Sequence, residues 1–202
     1  MDCCNRHIAR ALALAVLLPV FAGAAEATAQ PGAVRLQVTT RPTGAKYSPR
    51  HVLAVWVTDA EGRFVRTLML KANRQRSRLS AWLKSSAGNT AGLTDAVSGA
   101  TLRQHEPITV DWDCRNAAGV AVPDGWYQIL VEFTERNGAG PVTPAAALRV
   151  RTGPEPYTAQ PQNLEYFRDL RVSYQPGPAA AAPVPRPAPA APPATPAVPP
   201  AK

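Results

Sequence analysis

Short runs of β-branched and aromatic residues separated by turn residues recur through the middle of the chain. They predict strands near residues 34–40, 51–58, 64–70, 108–112, 126–134, 146–151 and 170–174. The second run stands apart, because Val52, Ala54 and Trp56 on one face and Leu53, Val55 and Val57 on the other are all apolar. That pattern predicts a central strand covered on both sides. Asp59-Ala60-Glu61-Gly62 supplies the hairpin turn that follows it. About seven short strands joined in this way predict an all-β fold, an Ig-like β-sandwich.

One stretch breaks the two-residue period. Between residues 73 and 86, Leu79, Trp82 and Leu83 fall at i, i+3 and i+4 among Arg74, Arg76, Arg78 and Lys84, the spacing of a short amphipathic helix. Ala87-Gly88-Asn89 is expected to end it. Residues 90–101 then form a long loop before the next strand, and compact domains rarely keep such loops without a use for them.

Composition narrows where the fold lies. In residues 1–29, Arg6, His7 and Arg10 precede an apolar run broken by Pro19 and a small-residue end at Ala27-Thr28-Ala29, the layout of a cleaved secretory signal. The run is shorter than the roughly 20 residues that span a bilayer, so no membrane-spanning segment is expected. Residues 176–202 hold half of the chain's 22 prolines, with alanine making up most of the remainder, and read as a disordered tail or spacer. One domain, residues 30–175, is left. The chain has 202 residues and a formal net charge of +8, which inside a cell would suggest nucleic acid; export argues against that partner. Cleavage would remove Cys3 and Cys4 and leave Cys114 alone, so no internal disulfide is expected.

The long loop contains Asp95-Ala96-Val97-Ser98-Gly99-Ala100-Thr101. This segment resembles the D-x-x-S-G-A-T attachment motif of proteins that carry covalent FMN, such as subunits of sodium-pumping and Rnf-type membrane oxidoreductases. In that class a periplasmic flavin transferase cleaves FAD and joins FMN phosphate to the last threonine, which here is Thr101. The resemblance implies Asp95, Ser98, Gly99 and Ala100 as recognition residues. The small residues suit a loop that must enter another enzyme's cleft. The other reading is an ordinary turn in which Asp95 and Ser98 bond local backbone.

Further on, residues 109–127 include Trp112-Asp113-Cys114-Arg115-Asn116 and Pro123-Asp124-Gly125-Trp126-Tyr127. They are similar to a W-D-G-R-D…P-D-G-x-Y pattern in the Ig-like domain of flagellar hook-capping proteins, with Cys114 where glycine is usual and Asn116 where aspartate is usual. This run is expected to be a hairpin, with Trp112 and Tyr127 packed across its strands. Taken with 54–59, 62–68 and the motif loop, it resembles an uncharacterised family of bacterial periplasmic proteins whose genes accompany flavin transferases and PepSY-type membrane proteins.

Other chemistries find little support. His51 and His105 stand far apart in sequence with no Cys/His cluster, so no metal site is expected. Ser98 lacks the glycines of a hydrolase elbow. Glu132 and Glu135 read as solvated strand-end charges. Two functions remain: an electron-transfer module carrying FMN on Thr101 and reduced by a PepSY-type membrane reductase, or a cofactor-free Ig-like binding module. In the first, Trp82 or Trp56 is expected to stack on the ring, and Lys84 or Arg103 to face the anionic reduced flavin.

Overall fold

The computed structural model describes residues 32–91 and 101–177. The proposed signal segment, the motif residues Asp95, Ser98, Gly99 and Ala100, and nearly all of the tail lie outside them. Among the described residues, eight strands form two antiparallel sheets. They are β1 (Ala33–Thr40), β2 (Val52–Asp59), β3 (Phe64–Lys71), β4 (Pro107–Trp112), β5 (Gly125–Thr134), β6 (Arg149–Thr152), β7 (Tyr157–Ala159) and β8 (Phe167–Gln175). One sheet runs β4-β1-β8-β7 and the other β3-β2-β5-β6, which is the sandwich expected from the sequence.

The main core lies between the sheets. Leu36 and Val38 of β1 and Val172 of β8 meet Leu53, Val55 and Val57 of β2 and Ile129, Val131 and Phe133 of β5. The opposite face of β2 is buried too. Val52, Ala54 and Trp56 form a second cluster with Leu79 and Trp82, which is why this strand is apolar on both faces.

The cover over that face comes from the 73–86 stretch, although not as one helix. Asn73–Arg78 forms a 3-10 helix, the chain breaks at Leu79, and α1 (Ser80–Ser86) follows. Before Leu79 the sequence offers only polar residues, with no apolar stripe to hold a longer α-helix on the sheet. Both indoles tie α1 down: the Trp82 Nε1–H donates to Thr67 Oγ1 and the Trp56 Nε1–H to Ser85 Oγ, each at 3.0 Å. Ala87, in the left-handed region at φ 49°, ends the helix where expected.

The Trp112–Tyr127 segment holds only a small hairpin, in which Arg115 and Ala121 form an antiparallel bridge and the Val122 N–H donates to the Cys114 carbonyl at 2.9 Å; the strands that carry Trp112 and Tyr127 do not pair with each other. β4 pairs with β1, whereas β5 pairs with β2 and β6, so the connection crosses from one sheet to the other. Trp112 and Tyr127 do meet, edge to face at 5.1 Å, but across the sandwich core. The Tyr127 hydroxyl donates back to the Pro123 carbonyl at 2.6 Å. Such a bond from a tyrosine near a strand start to backbone a few residues upstream is a hallmark of Ig-like sandwiches. Similarly, the strand expected at 146–151 begins only at Arg149, because a turn occupies 145–148.

Cys114 takes the left-handed φ of 53° that the usual glycine would adopt, with its side chain in the main core. Burial, aided by the charges of Asp113 and Asp124, pushes its thiol up to about 12. Since the thiolate is the reacting species, Cys114 is expected to resist iodoacetamide in the native protein at pH 8 and to be labelled fully in denaturant. Mass spectrometry of the two samples checks this.

Candidate functional site

At one end of the sandwich, where β2 begins and β5 ends, lies a cavity of about 760 Å³. The β1–β2 loop contributes Tyr47 and Arg50, the start of β2 His51 and Val52, and the 3-10 helix Gln75 and Arg78. Thr101 and Arg103 line it from the segment ahead of β4, and Thr134 to Asn137 from the end of β5. Thr101 is half-buried on this wall. Its position is set by the next residue: the Leu102 N–H donates to the His51 carbonyl and the His51 N–H to the Leu102 carbonyl, each at 2.9 Å. This two-way bridge joins the end of the motif loop to the first residue of the cavity floor.

The lining is strongly cationic. Arg50, Arg78, Arg103 and Arg136 reach it from four different segments, and Glu135 is the one carboxylate among the described lining residues. Arg136 also donates to the Ala139 carbonyl, which orients its side chain.

Glu135 is not the solvated charge expected of it; only 2% of its surface is exposed. Its Oε2 accepts from the Thr43 N–H at 2.8 Å, from the Thr43 hydroxyl at 2.5 Å and, more weakly, from the Ala45 N–H at 3.4 Å. Its Oε1 accepts from His105 Nε2 at 2.8 Å. Burial alone would raise this carboxyl, but the bonds from Thr43, His105 and Ser48 outweigh it and hold the group at about 2. Glu135 is therefore ionised at neutral pH.

The two histidines, distant in sequence, are stacked in space, their rings 4.1 Å apart and 9° from parallel. The His51 Nδ1 sits 3.0 Å from the Pro49 carbonyl, which only accepts, so this nitrogen bears the proton. Burial first, and then repulsion from His105, lowers the His51 pKa and keeps the ring neutral, although the Pro49 carbonyl opposes this. The Nε2 is then a bare acceptor, buried and without a hydrogen-bond partner among the described residues. Together with Glu135 these rings make a polar cluster beside the cavity, but no group of metal-ligating side chains occurs among the described residues.

The structure thus brings Thr101 and Arg103 together on one wall. It does not bring the expected tryptophans there. Trp56 and Trp82 are fully buried in the second core with their N–H groups engaged, so neither offers a face to a ring. Lys84 is exposed on α1 and does not line the cavity. Tyr47, 40% exposed and accepting from Asn137 Nδ2 at 3.0 Å, is the aromatic side chain that does line it. The sequence pointed to neither Tyr47 nor Arg50, His51 or Arg136, because their segments meet only in three dimensions.

Fold and cavity together define an all-β sandwich domain with a cationic pocket at one end. Residues 33–162, from β1 through β7, match the family described as "Predicted periplasmic protein (DUF2271)". The chain belongs to that family and is a periplasmic protein. Searches of curated proteins and of solved structures give no match. No helix among the described residues is long and apolar enough to cross a membrane.

Proposed function

We propose that this domain is a periplasmic electron carrier bearing FMN joined through its phosphate to Thr101. The observation that carries the reading is the placement of Thr101 on the wall of a cavity that combines volume with positive charge. Pockets of about 300–1,000 Å³ take ligands of cofactor size. The arginines suit a phosphate, and the unpaired His51 Nε2 suits a ligand hydroxyl or N–H. Bound FMN would supply the redox chemistry, while the protein supplies attachment and electrostatics.

Attachment balances as a phosphoryl transfer. The Thr101 oxygen bonds to the phosphorus on the FMN side of FAD, the pyrophosphate bond breaks, AMP leaves, and the hydroxyl proton passes to a base. A separate flavin transferase would supply that base. Asp95, Ser98, Gly99 and Ala100 are proposed as the sequence that enzyme reads, and a PepSY-type membrane reductase as the electron donor.

Intact mass after expression with a periplasmic flavin transferase tests the assignment. An addition of about 440 Da is expected on the mature wild type and none on Thr101→Ala. No addition to either, with the transferase active on a known substrate, would return the domain to a cofactor-free binding module.

A further inference from the structure

We infer that the cavity is a phosphate-ester binding site in its own right, with Arg50, Arg78, Arg103 and Arg136 as its recognition residues. Only the identity of the ester rests on the reading above; recognition of phosphate rests on the lining. Four arginines line the cavity, from the β1–β2 loop, the 3-10 helix, the segment ahead of β4 and the end of β5. Among the described residues none of the four is paired with a carboxylate in a salt bridge. The carboxylate in the wall, Glu135, turns its oxygens to Thr43, Ala45 and His105 instead.

Unpaired like charges brought into one concavity repel one another, and low-dielectric walls sharpen that repulsion. An anion relieves it. Guanidinium forks match the oxygens of a phosphate in pairs; a free phosphate monoester carries close to two charges at neutral pH, and a diester linked to Thr101 would keep one. The cavity, at about 760 Å³, is the size of a small-molecule pocket rather than a groove for a polymer. His51 adds a second, independent sign of a missing ligand. It lines the same cavity and is 1% exposed, with an Nε2 acceptor that nothing among the described residues satisfies. Buried polar atoms in folded proteins are nearly always paired, and a hydroxylated stem attached to the phosphate provides the donor.

The test uses the mature Thr101→Ala protein, which cannot form the covalent link, so the outcome is independent of attachment. FMN, riboflavin, inorganic phosphate and acetate are titrated by calorimetry at low and high salt. FMN is expected to bind at least about tenfold more tightly than riboflavin, to weaken with salt, and to be displaced by phosphate but not by acetate. The double variant Arg50→Gln/Arg103→Gln, both sites being exposed, is expected to lose about tenfold or more in FMN affinity with an unchanged melting temperature. FMN binding that phosphate cannot displace would overturn recognition of the phosphate by these arginines. Equal binding of FMN and riboflavin, or FMN affinity untouched by the arginine substitutions, would overturn the inference.

Discussion

Glu135→Ala is expected to destabilise the domain by about 3 kcal/mol or more in urea denaturation at pH 7, because it leaves several buried donors without an acceptor at about 1–3 kcal/mol each. The substitution leaves His105 Nε2, the Thr43 N–H and the Thr43 hydroxyl without their acceptor, and these groups fasten the β1–β2 loop to the end of β5. Glu135→Gln should cost roughly half as much. Its amide oxygen can still accept from Thr43, and its NH₂ can donate to His105 Nε2 once that ring shifts its proton to Nδ1 and donates to Thr40 Oγ1, now 2.7 Å away.

The pH dependence separates charge from hydrogen bonding. Glu135 has a folded pKa of about 2 against an ordinary value of 4.5, so its contribution is fully present above pH 4.5 and is lost as pH falls toward 2. At 1.36 kcal/mol per pH unit this amounts to about 3 kcal/mol. The wild type should lose that much between pH 5 and pH 2 beyond whatever Glu135→Gln loses. Asp59 and Asp111 also have lowered pKa values through their arginine partners, but they are unchanged in the variant and cancel in the comparison. Parallel acid limbs for the two proteins would show that Glu135 is not held ionised by this cluster.

The frame was legible where a residue's fate depends on its near neighbours. Two apolar faces on 52–57 announced a strand with two covers, and Leu79, Trp82 and Leu83 announced the piece that provides one of them. β7 was not legible: Tyr157–Ala159 is three residues long and follows Pro156, too short for any alternation to register. The candidate site was half legible. Thr101 came from a local motif, and Arg103 lies two residues beyond it. Glu135, by contrast, takes its meaning from Thr43, 92 positions away, and from His105, 30 positions away. No period carries such information. Glu132 is different, because a signal existed. Once a helix is expected over the outer face of β2, the neighbouring strand's outer face beside Ala54 falls under the same cover, and Glu132 pairs with Ala54.

That cover gives Glu132 its role, and its removal should be the second large effect. The residue is 0% exposed beneath the start of α1, where its carboxylate accepts from the Trp82 N–H at 2.8 Å and the Ala81 N–H at 3.1 Å. A seven-residue helix is too short to be stable alone, and its first N–H groups have no partner within the helix. A strand carboxylate therefore does what an N-cap side chain would, since Leu79 at that position makes no cap bond. Glu132→Ala is expected to cost about 3 kcal/mol or more, through two buried donors left unpaired and the cavity left below the helix. Glu132→Gln should cost about 1–2 kcal/mol, because one of the two N–H groups would face an amide NH₂. Burial pushes the Glu132 carboxyl up, against the pull of the bonds from Trp82, Ala81 and Ser80. A raised folded pKa means that the wild type loses stability as pH rises from 4.5 toward the folded value, while the glutamine variant does not. The gap between the two proteins should thus widen as pH is lowered from 7 to 4. A gap that narrows over this range would mean that the helix start is held by the carboxylate's charge rather than by its shape.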